Sequence, residues 1–175
     1  MRSARMDFSL GAQRLIACLI GANIAIKLGL SGFAVMIFAI IFGILAGLVS
    51  GLVFVWFRIP SMVSGMGVAL VFECIAFVFT DGEGLRFFGV SNLELLSNTV
   101  FMFVFCMVVI ILMAFLYTRT TFGYHYQAIR SNQKIAFSSG IKVFRNVLIC
   151  YMLGGILMAV SGVFNTVYTG TMEAS

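Results

Sequence analysis

Charged residues are scarce in this sequence. Lysine, arginine, aspartate and glutamate make up 10% of the 175 residues, whereas they are about a quarter of a typical soluble domain. Hydrophobic residues make up 62%, and several uninterrupted apolar runs reach the roughly 20 residues that cross about 30 Å of hydrocarbon. Segments of about ten residues with alternating polarity, which mark membrane barrels, are absent. The sequence therefore predicts an all-α integral membrane protein.

Residues that carry chemistry are equally few. His125 is the only histidine and the four cysteines form no CxxC pair, so we predict no metal site, disulfide framework or cofactor. Each cysteine lies inside an apolar run, and we interpret all four as small core residues. Paired acid–base residues are missing, so we expect no enzyme. The net charge of +5 is concentrated between apolar runs, which argues against nucleic-acid binding.

The apolar runs predict about five transmembrane helices in one domain. Their approximate bounds are residues 10–26, 30–57, 61–80, 97–117 and 147–168. The only proline, Pro60, separates the second span from the third, because a helix usually ends at or before the residue that precedes a proline. Residues 118–146 form the long connection before the last span.

Small and polar residues inside the spans mark packing faces and candidate sites. Gly43, Gly47 and Gly51 recur at every fourth position of the second span, a pattern that lets membrane helices approach closely. Glu73 lies within the third span, where a carboxyl is costly and is either a functional group or a protonated or paired structural one. Arg14 lies near one end of the first span, from which its side chain could reach the interface.

The longest polar stretch, which we call the basic segment, is Tyr117–Asn146. It holds five lysines and arginines and no acidic residue. If it faces the cytoplasm, alternation of five spans puts eight basic residues inside and only Lys27 and Arg86 outside, in agreement with the positive-inside rule. We therefore predict a cytoplasmic N-terminus and an extracytoplasmic C-terminus.

A short helix is predicted within the basic segment. Ser131 or Asn132 suits its N-cap, and Gly140 suits a left-handed C-terminal cap. About seven residues are too few for a stable isolated helix, so this helix needs a surface to pack on. A small apolar patch ringed by basic residues fits either a docking site for another protein or a connector on anionic lipid. The apolar residues are Ile135, Ala136 and Ile141, and the basic ones are Arg130, Lys134 and Lys142.

The basic segment and its surroundings carry a series of motifs in a fixed order. They are Asp7-Phe8-Ser9-Leu10-Gly11, Arg58-Ile59-Pro60-Ser61, Phe122-Gly123, Ala128-Ile129, Asn132, Ala136, Gly140-Ile141, Val143, Tyr151, Gly154 and Gly162. This set resembles the motifs of ABC importer permeases of the ribose and branched-chain amino acid type, and the sugar branch more closely. The resemblance covers nearly the whole chain.

The resemblance implies a multi-pass permease of a prokaryotic plasma (inner) membrane, with a short cytoplasmic coupling helix and a monosaccharide or similar small polar solute as cargo. Its implied partners are a cytoplasmic ABC ATPase, a second permease subunit and an extracytoplasmic solute-binding protein. The sequence has no GxxxxGK[ST] phosphate loop, so ATP hydrolysis is expected on the ATPase. The residues implied to contact the ATPase are Arg130, Asn132, Ala136, Gly140 and Ile141.

Three further residues are candidates for the solute pathway: Asp7, Ser9 and Glu73. Asp7 or Ser9 also suits a plain helix cap, and that alternative stays open. The resemblance further implies that the chain lacks the spans before Asp7 and the part after Ser175. We therefore expect a fragment, a degraded gene product or half of a split permease. A non-transporting accessory membrane protein or a non-functional remnant is the alternative function.

Overall fold

The computed structural model describes residues 9–29, 31–57, 60–80, 85–86, 98–169 and 171–172, and the structural statements below concern these residues. The predicted site residue Asp7 and the predicted Arg58-Ile59 turn lie outside them. The helices are α1 (Ser9–Ile16), a π-helical segment (Ala17–Ala22), α2 (Asn23–Lys27), α3 (Gly32–Phe57), α4 (Ser61–Phe79), α5 (Thr99–Arg119), α6 (Thr121–Ser131), α7 (Gln133–Ser138) and α8 (Val143–Thr169), and two short strands are β1 (Leu85–Arg86) and β2 (Thr171–Met172).

Long apolar helices dominate the described part of the chain. Helices α3, α4, α5 and α8 are each long and apolar enough to cross a membrane, which confirms the predicted all-α membrane fold. The first predicted span differs, because the apolar helix Ser9–Ala25 is shorter than the other four and its regular α-helical winding is interrupted by the π-helical segment. The number of membrane crossings therefore stays a prediction.

The basic segment is more helical than we predicted. Helix α5 continues to Arg119, and α6 follows after Thr120, whose Oγ1 accepts a 3.5 Å hydrogen bond from the backbone N–H of Gly123. Helix α8 begins at Val143, four residues before the predicted span. An apolar run predicts the part of a helix that lies in hydrocarbon. Composition does not distinguish the polar turns beyond that part from a loop. The sequence argument therefore missed these helical extensions.

The stretch from α1 to α2 lies at the centre of the bundle. Every residue of the π-helical segment is buried, with Cys18 Sγ 3.8 Å from the carbonyl oxygen of Ala159 in α8. On another side Gly21 lies against the backbone of Ala39 in α3, and α4 adds Ala76 to the core cluster that contains Cys18 and Ala39. The most polar of the predicted spans is thus enclosed by three other helices, so most of its polar side chains face protein instead of lipid.

Helices α3 and α8 pack antiparallel through the predicted glycine stripe. A Cβ placed on Gly43 would lie 2.5 Å from the carbonyl oxygen of Gly155. At Gly47 it would meet the backbone of Tyr151, and at Gly51 it would lie 3.0 Å from Leu148 Cδ2. Such short separations leave no room for a methyl group at Gly43 or Gly47, so these positions let the two backbones touch.

Helix α5 contacts the bundle along a narrow line only. None of its described residues is buried, and Phe105 meets Phe164 of α8 edge-to-face, with ring centroids 5.5 Å apart. Cys106 on this helix and Cys74 on α4 are exposed, whereas Cys18 is buried. Our interpretation of all four cysteines as core residues was therefore wrong for Cys74 and Cys106. Lipid-facing and buried side chains are equally apolar, so an apolar run cannot separate them.

Strands β1 and β2 join two distant parts of the chain at one end of the bundle. They pair antiparallel, with Leu85 opposite Met172 and Arg86 opposite Thr171. The connection that follows α4 therefore lies beside the C-terminal end of α8. Helix α7 precedes the N-terminal end of α8, at the opposite end of that helix.

Candidate coupling helix and buried polar cluster

The short predicted helix is present as α7, and its N-cap is Asn132. The side-chain Oδ1 of Asn132 accepts a 3.3 Å hydrogen bond from the backbone N–H of Ile135, the third residue of the helix, as an N-cap side chain does. Ser131, the other candidate for this cap, is the last residue of α6. One residue thus separates α6 from α7, which fixes the direction in which α7 starts.

Gly140 ends the short helix in a left-handed conformation. Its φ is +78°, a value that side chains with a Cβ rarely adopt. The backbone N–H of Ile141 donates to the carbonyl of Ala136 at 3.1 Å, and that of Gly140 donates to the carbonyl of Phe137 at 3.1 Å. These two bonds form a Schellman motif, which satisfies carbonyls that the helix end would leave free. Both ends of α7 are therefore fixed by hydrogen bonds.

The outer face of α7 is apolar and exposed. Ile135 is 64% exposed and Phe137 is 75% exposed, whereas Ala136 is 2% exposed and points into the protein. The predicted apolar patch is corrected accordingly: Ala136 anchors α7, and Phe137, which the sequence argument passed over, joins Ile135 on the surface. Arg130 and Lys142, on either side of the helix, are both exposed. The result is a small apolar knob with a basic rim.

Helix α6 connects α7 firmly to the end of α5. The ring of Tyr117 meets that of Tyr126 edge-to-face at 5.3 Å and lies 5.9 Å from that of Phe122. Gly123 is buried, and a Cβ there would overlap the backbone of Tyr117. The close contact at Gly123 folds α6 back onto the end of α5. Packed aromatic rings therefore fix α6 to the end of α5.

A second candidate site is a buried polar cluster between α1 and α3, formed by Ser9, Gln13 and Ser50. Gln13 Nε2 donates to Ser9 Oγ at 3.0 Å and to Ser50 Oγ at 3.1 Å. Ser50 Oγ in turn donates to the carbonyl oxygen of Ala46 at 2.9 Å. All three side chains are at most 3% exposed. The cluster is thus a polar contact inside an otherwise apolar bundle.

Gln13 is the residue that the sequence argument missed. Its spacing of four from Ser9 puts both side chains on one face of α1, and this was the available signal. Among the described residues, two polar atoms here are buried without a hydrogen-bond partner, Gln13 Oε1 and Nε of the next residue, Arg14. The side chain of Arg14 also packs so close to Gly162 of α8 that a Cβ on Gly162 would lie 2.8 Å from Arg14 Cγ. The stem of Arg14 is thus packed against α8, and the reach of its guanidinium to the interface stays a prediction.

Glu73, the other pathway candidate within a span, is not joined to this cluster. It is partly buried on α4, and no hydrogen bond or ion pair links it to another of the described residues. Nor do the described residues include a group of three or more His, Cys, Asp or Glu that could hold a metal ion.

Comparison with known proteins relates this chain to permeases. The sequence profile of the family described as "Branched-chain amino acid transport system / permease component" matches residues 1–175. The D-allose transport system permease protein of Escherichia coli (strain K12) is 25% identical over 175 residues, which are 97% of this chain and 53% of that protein. The ribose import permease protein of Bacillus subtilis (strain 168) is 28% identical over 115 residues, 62% of this chain and 36% of that protein.

The L-arabinose transport system permease protein of Escherichia coli (strain K12) is also similar, with 27% identity over 113 residues, 61% of this chain and 34% of that protein. No solved structure matches the chain. The chain thus spans about half the length of the D-allose permease that it matches.

Proposed function

This chain belongs to the family of branched-chain amino acid transport system permease components, and from that membership we propose that it forms part of the membrane-spanning subunit of an ATP-driven importer. The proposed cargo is a monosaccharide or a similar small polar solute, because the similar permeases are named for D-allose, ribose and L-arabinose. Its proposed partners are a cytoplasmic ABC ATPase, a second permease subunit and an extracytoplasmic solute-binding protein.

The observation that carries this proposal is the doubly capped helix α7. A six-residue helix gains little stability by itself, yet this one is fixed at both ends by Asn132 and Gly140. It presents Ile135 and Phe137 to solvent, where apolar side chains gain nothing unless a partner covers them. The proposed coupling residues are Arg130, Asn132, Ala136, Gly140 and Ile141. Ala136 anchors α7, and the apolar knob on the outer face of α7 fits a cleft of the ATPase.

The proposed orientation has α7 and the N-terminus in the cytoplasm. The excess of basic residues in the basic segment supports it. The pairing of β1 with β2 supports the alternation of the spans on which this orientation depends, because it brings together the connection after α4 and the end of α8, which that alternation assigns to one side. ATPase closure would then move α7, and through Tyr117 and Tyr126 the end of α5, in a rigid-body step. Ser9 and Glu73, with Asp7, are the proposed pathway residues.

Two glycines with positive φ offer a matched test of coupling. Gly140 (φ +78°) and Gly29 (φ +66°) both have open space where a Cβ would lie, so alanine at either position costs about 1–2 kcal/mol of backbone strain. Gly140 lies beside α7, whereas Gly29 lies in the turn between α2 and α3, away from α7. The tagged chain is purified in detergent, and co-purifying proteins with a GxxxxGK[ST] phosphate loop are quantified by mass spectrometry.

We expect Gly140→Ala to lower ATPase recovery several-fold, and Gly29→Ala to leave it unchanged. Phe137→Ser should act like Gly140→Ala, and Tyr168→Ser, which alters an equally exposed aromatic residue near the C-terminal end of α8, should act like Gly29→Ala. Equal recovery from Gly140→Ala, Phe137→Ser and the unaltered chain would contradict the coupling role. If the unaltered chain recovers no such ATPase, the accessory or remnant function is supported instead.

A further inference from the structure

The two unpaired polar atoms next to each other in sequence require opposite partners. Gln13 Oε1 can only accept a hydrogen bond, and Arg14 Nε–H can only donate one. Both are buried without a partner among the described residues, and Gln13 is 0% exposed. A buried polar atom without a partner keeps its full cost of desolvation. Helix α1 therefore offers one buried acceptor, at Gln13, and one buried donor, at Arg14.

The hydrogen bonds of the two serines favour the present orientation of the Gln13 amide. With the amide reversed, Oε1 would face Ser9 Oγ and Ser50 Oγ, and Ser50 would have to give up its 2.9 Å bond to the carbonyl of Ala46 in order to donate to the amide. The orientation that keeps all three bonds therefore leaves Oε1 available to a donor from outside the cluster.

We propose that Gln13, Arg14 and the flanking Ser9 and Ser50 form a binding site for a neutral, polyhydroxylated solute. Gln13 is directed to α3, where it bonds Ser50, and Arg14 packs against Gly162 of α8. The site therefore suits a molecule with several separated hydroxyls, each of which both donates and accepts, as in a sugar or polyol. An inorganic cation would be repelled by Arg14, and a simple anion would leave Gln13 Oε1 unpaired. This inference rests on the proposed function for the presence of a solute in the bundle.

The present arrangement corresponds to a closed state of this site. Ser9, Gln13 and Ser50 are almost fully buried, so a solute reaches them when α1 moves away from α3. The two bonds from Gln13 Nε2 to Ser9 and Ser50 are then exchanged for bonds to solute hydroxyls. Such an exchange keeps the number of hydrogen bonds nearly constant, which keeps the two states close in free energy.

The test measures thermal unfolding of the full chain in lipid nanodiscs, with D-allose, D-ribose or L-arabinose as probes and sodium glutamate as a charged control. Ligand that binds the folded state raises the melting temperature by mass action, and its dependence on sugar concentration gives a half-maximal concentration. The altered chains are Gln13→Met, which keeps the side-chain length, and the milder Ser50→Ala. Ser64→Ala is the matched control, because Ser64 is a buried serine of α4 whose hydroxyl bonds its own helix at Ser61.

We expect at least one sugar, and not glutamate, to raise the melting temperature of the unaltered chain. Loss of one buried hydrogen bond should raise the half-maximal concentration about tenfold in Gln13→Met. A smaller rise is expected in Ser50→Ala and none in Ser64→Ala. Should Gln13→Met fail to fold by circular dichroism, Ser50→Ala decides the outcome alone.

Three results would overturn the proposal: no shift with any of the three sugars, an equal shift with glutamate, or an unchanged half-maximal concentration in both cluster variants. Failure of the coupling role is distinguishable, because Gly140→Ala is expected to keep the sugar-dependent shift while it loses the ATPase. If the unaltered chain binds sugar through Gln13 but recovers no ATPase, the result supports the solute site and contradicts the proposed importer function.

Discussion

Replacing Gly43 with alanine measures how closely α3 and α8 must pack. The added Cβ would lie 2.5 Å from the carbonyl oxygen of Gly155 and 2.8 Å from Ala159 Cβ, whereas ordinary contact begins at 3.4 Å. The helices must therefore separate locally by roughly 1 Å, and a gap of 0.5–1 Å forfeits about a quarter to a half of each van der Waals contact. No gain from removal of water compensates, because the lipid is as apolar as the interface.

Overpacking of this kind costs about 1–3 kcal/mol, and each kcal/mol lowers the melting temperature of a chain of this length by about 2–4 °C. We expect a fall of roughly 2–12 °C for Gly43→Ala, on these two relations. Gly67→Ala is the matched control, because Gly67 lies within α4 and a Cβ there meets nothing within 4 Å. Alanine favours a helix over glycine at both positions, so the difference between them isolates the packing.

The assay uses Cys18 as a built-in reporter. It is buried between the first helix and α8, and in a chain with Cys74, Cys106 and Cys150 replaced by serine it is the only thiol. A maleimide dye then reports when this contact opens on heating in detergent. If Gly43→Ala melts together with or above Gly67→Ala, the close approach of α3 and α8 contributes no stability, and our account of the glycine stripe is refuted.

Two other predictions follow from the described contacts. Asn132→Ala should cost about 1 kcal/mol of local stability by loss of the N-cap, and hydrogen exchange of the α7 amides should become faster. Asn132→Ser, which keeps a capping side chain, should retain the protection of these amides. Equal exchange rates in the two variants would contradict the capping role of Asn132. In detergent, a maleimide should label Cys74 and Cys106 before Cys18, because Cys74 and Cys106 are exposed and Cys18 is buried. Gly162→Ala should speed the labelling of Cys18, because the new Cβ overlaps the Cys18 sulfur. Simultaneous labelling of all three cysteines would contradict the burial of Cys18.

Turn chemistry was predictable from the sequence because it is local. A glycine after a short polar helix predicts a left-handed cap, and Gly140 has φ +78°. The preceding cap was narrowed by sequence to Ser131 or Asn132, and only the structure decided for Asn132, because the choice depends on where α6 ends. Local rules therefore gave the kind of motif and left its register uncertain by one residue.

Side-chain environment was less predictable, because a membrane helix has two apolar surroundings. Cys18 and Cys106 both lie within apolar runs, yet one is buried and the other is exposed. Gln13 was missed for a related reason. A single amide in an apolar run looks like an interruption of the span, and the hydrogen bond that gives Gln13 its role is made to Ser50, 37 residues away. The sequence cannot show which distant hydroxyl an amide will meet.

The contact between the first helix and α8 also sets an order of assembly during synthesis. Cys18 and the Ala159 carbonyl that it meets are separated by 141 residues, and a ribosome adds about 5–20 residues per second. The π-helical segment that contains Cys18 is therefore synthesised roughly 7–28 s, at that rate, before its partner on α8. During this delay Gln13 and Arg14 must be sheltered by the insertion machinery, by interfacial water or by α3, which is made much earlier. Assembly of the described bundle thus depends on holding its most polar helical stretch near the membrane until α8 arrives.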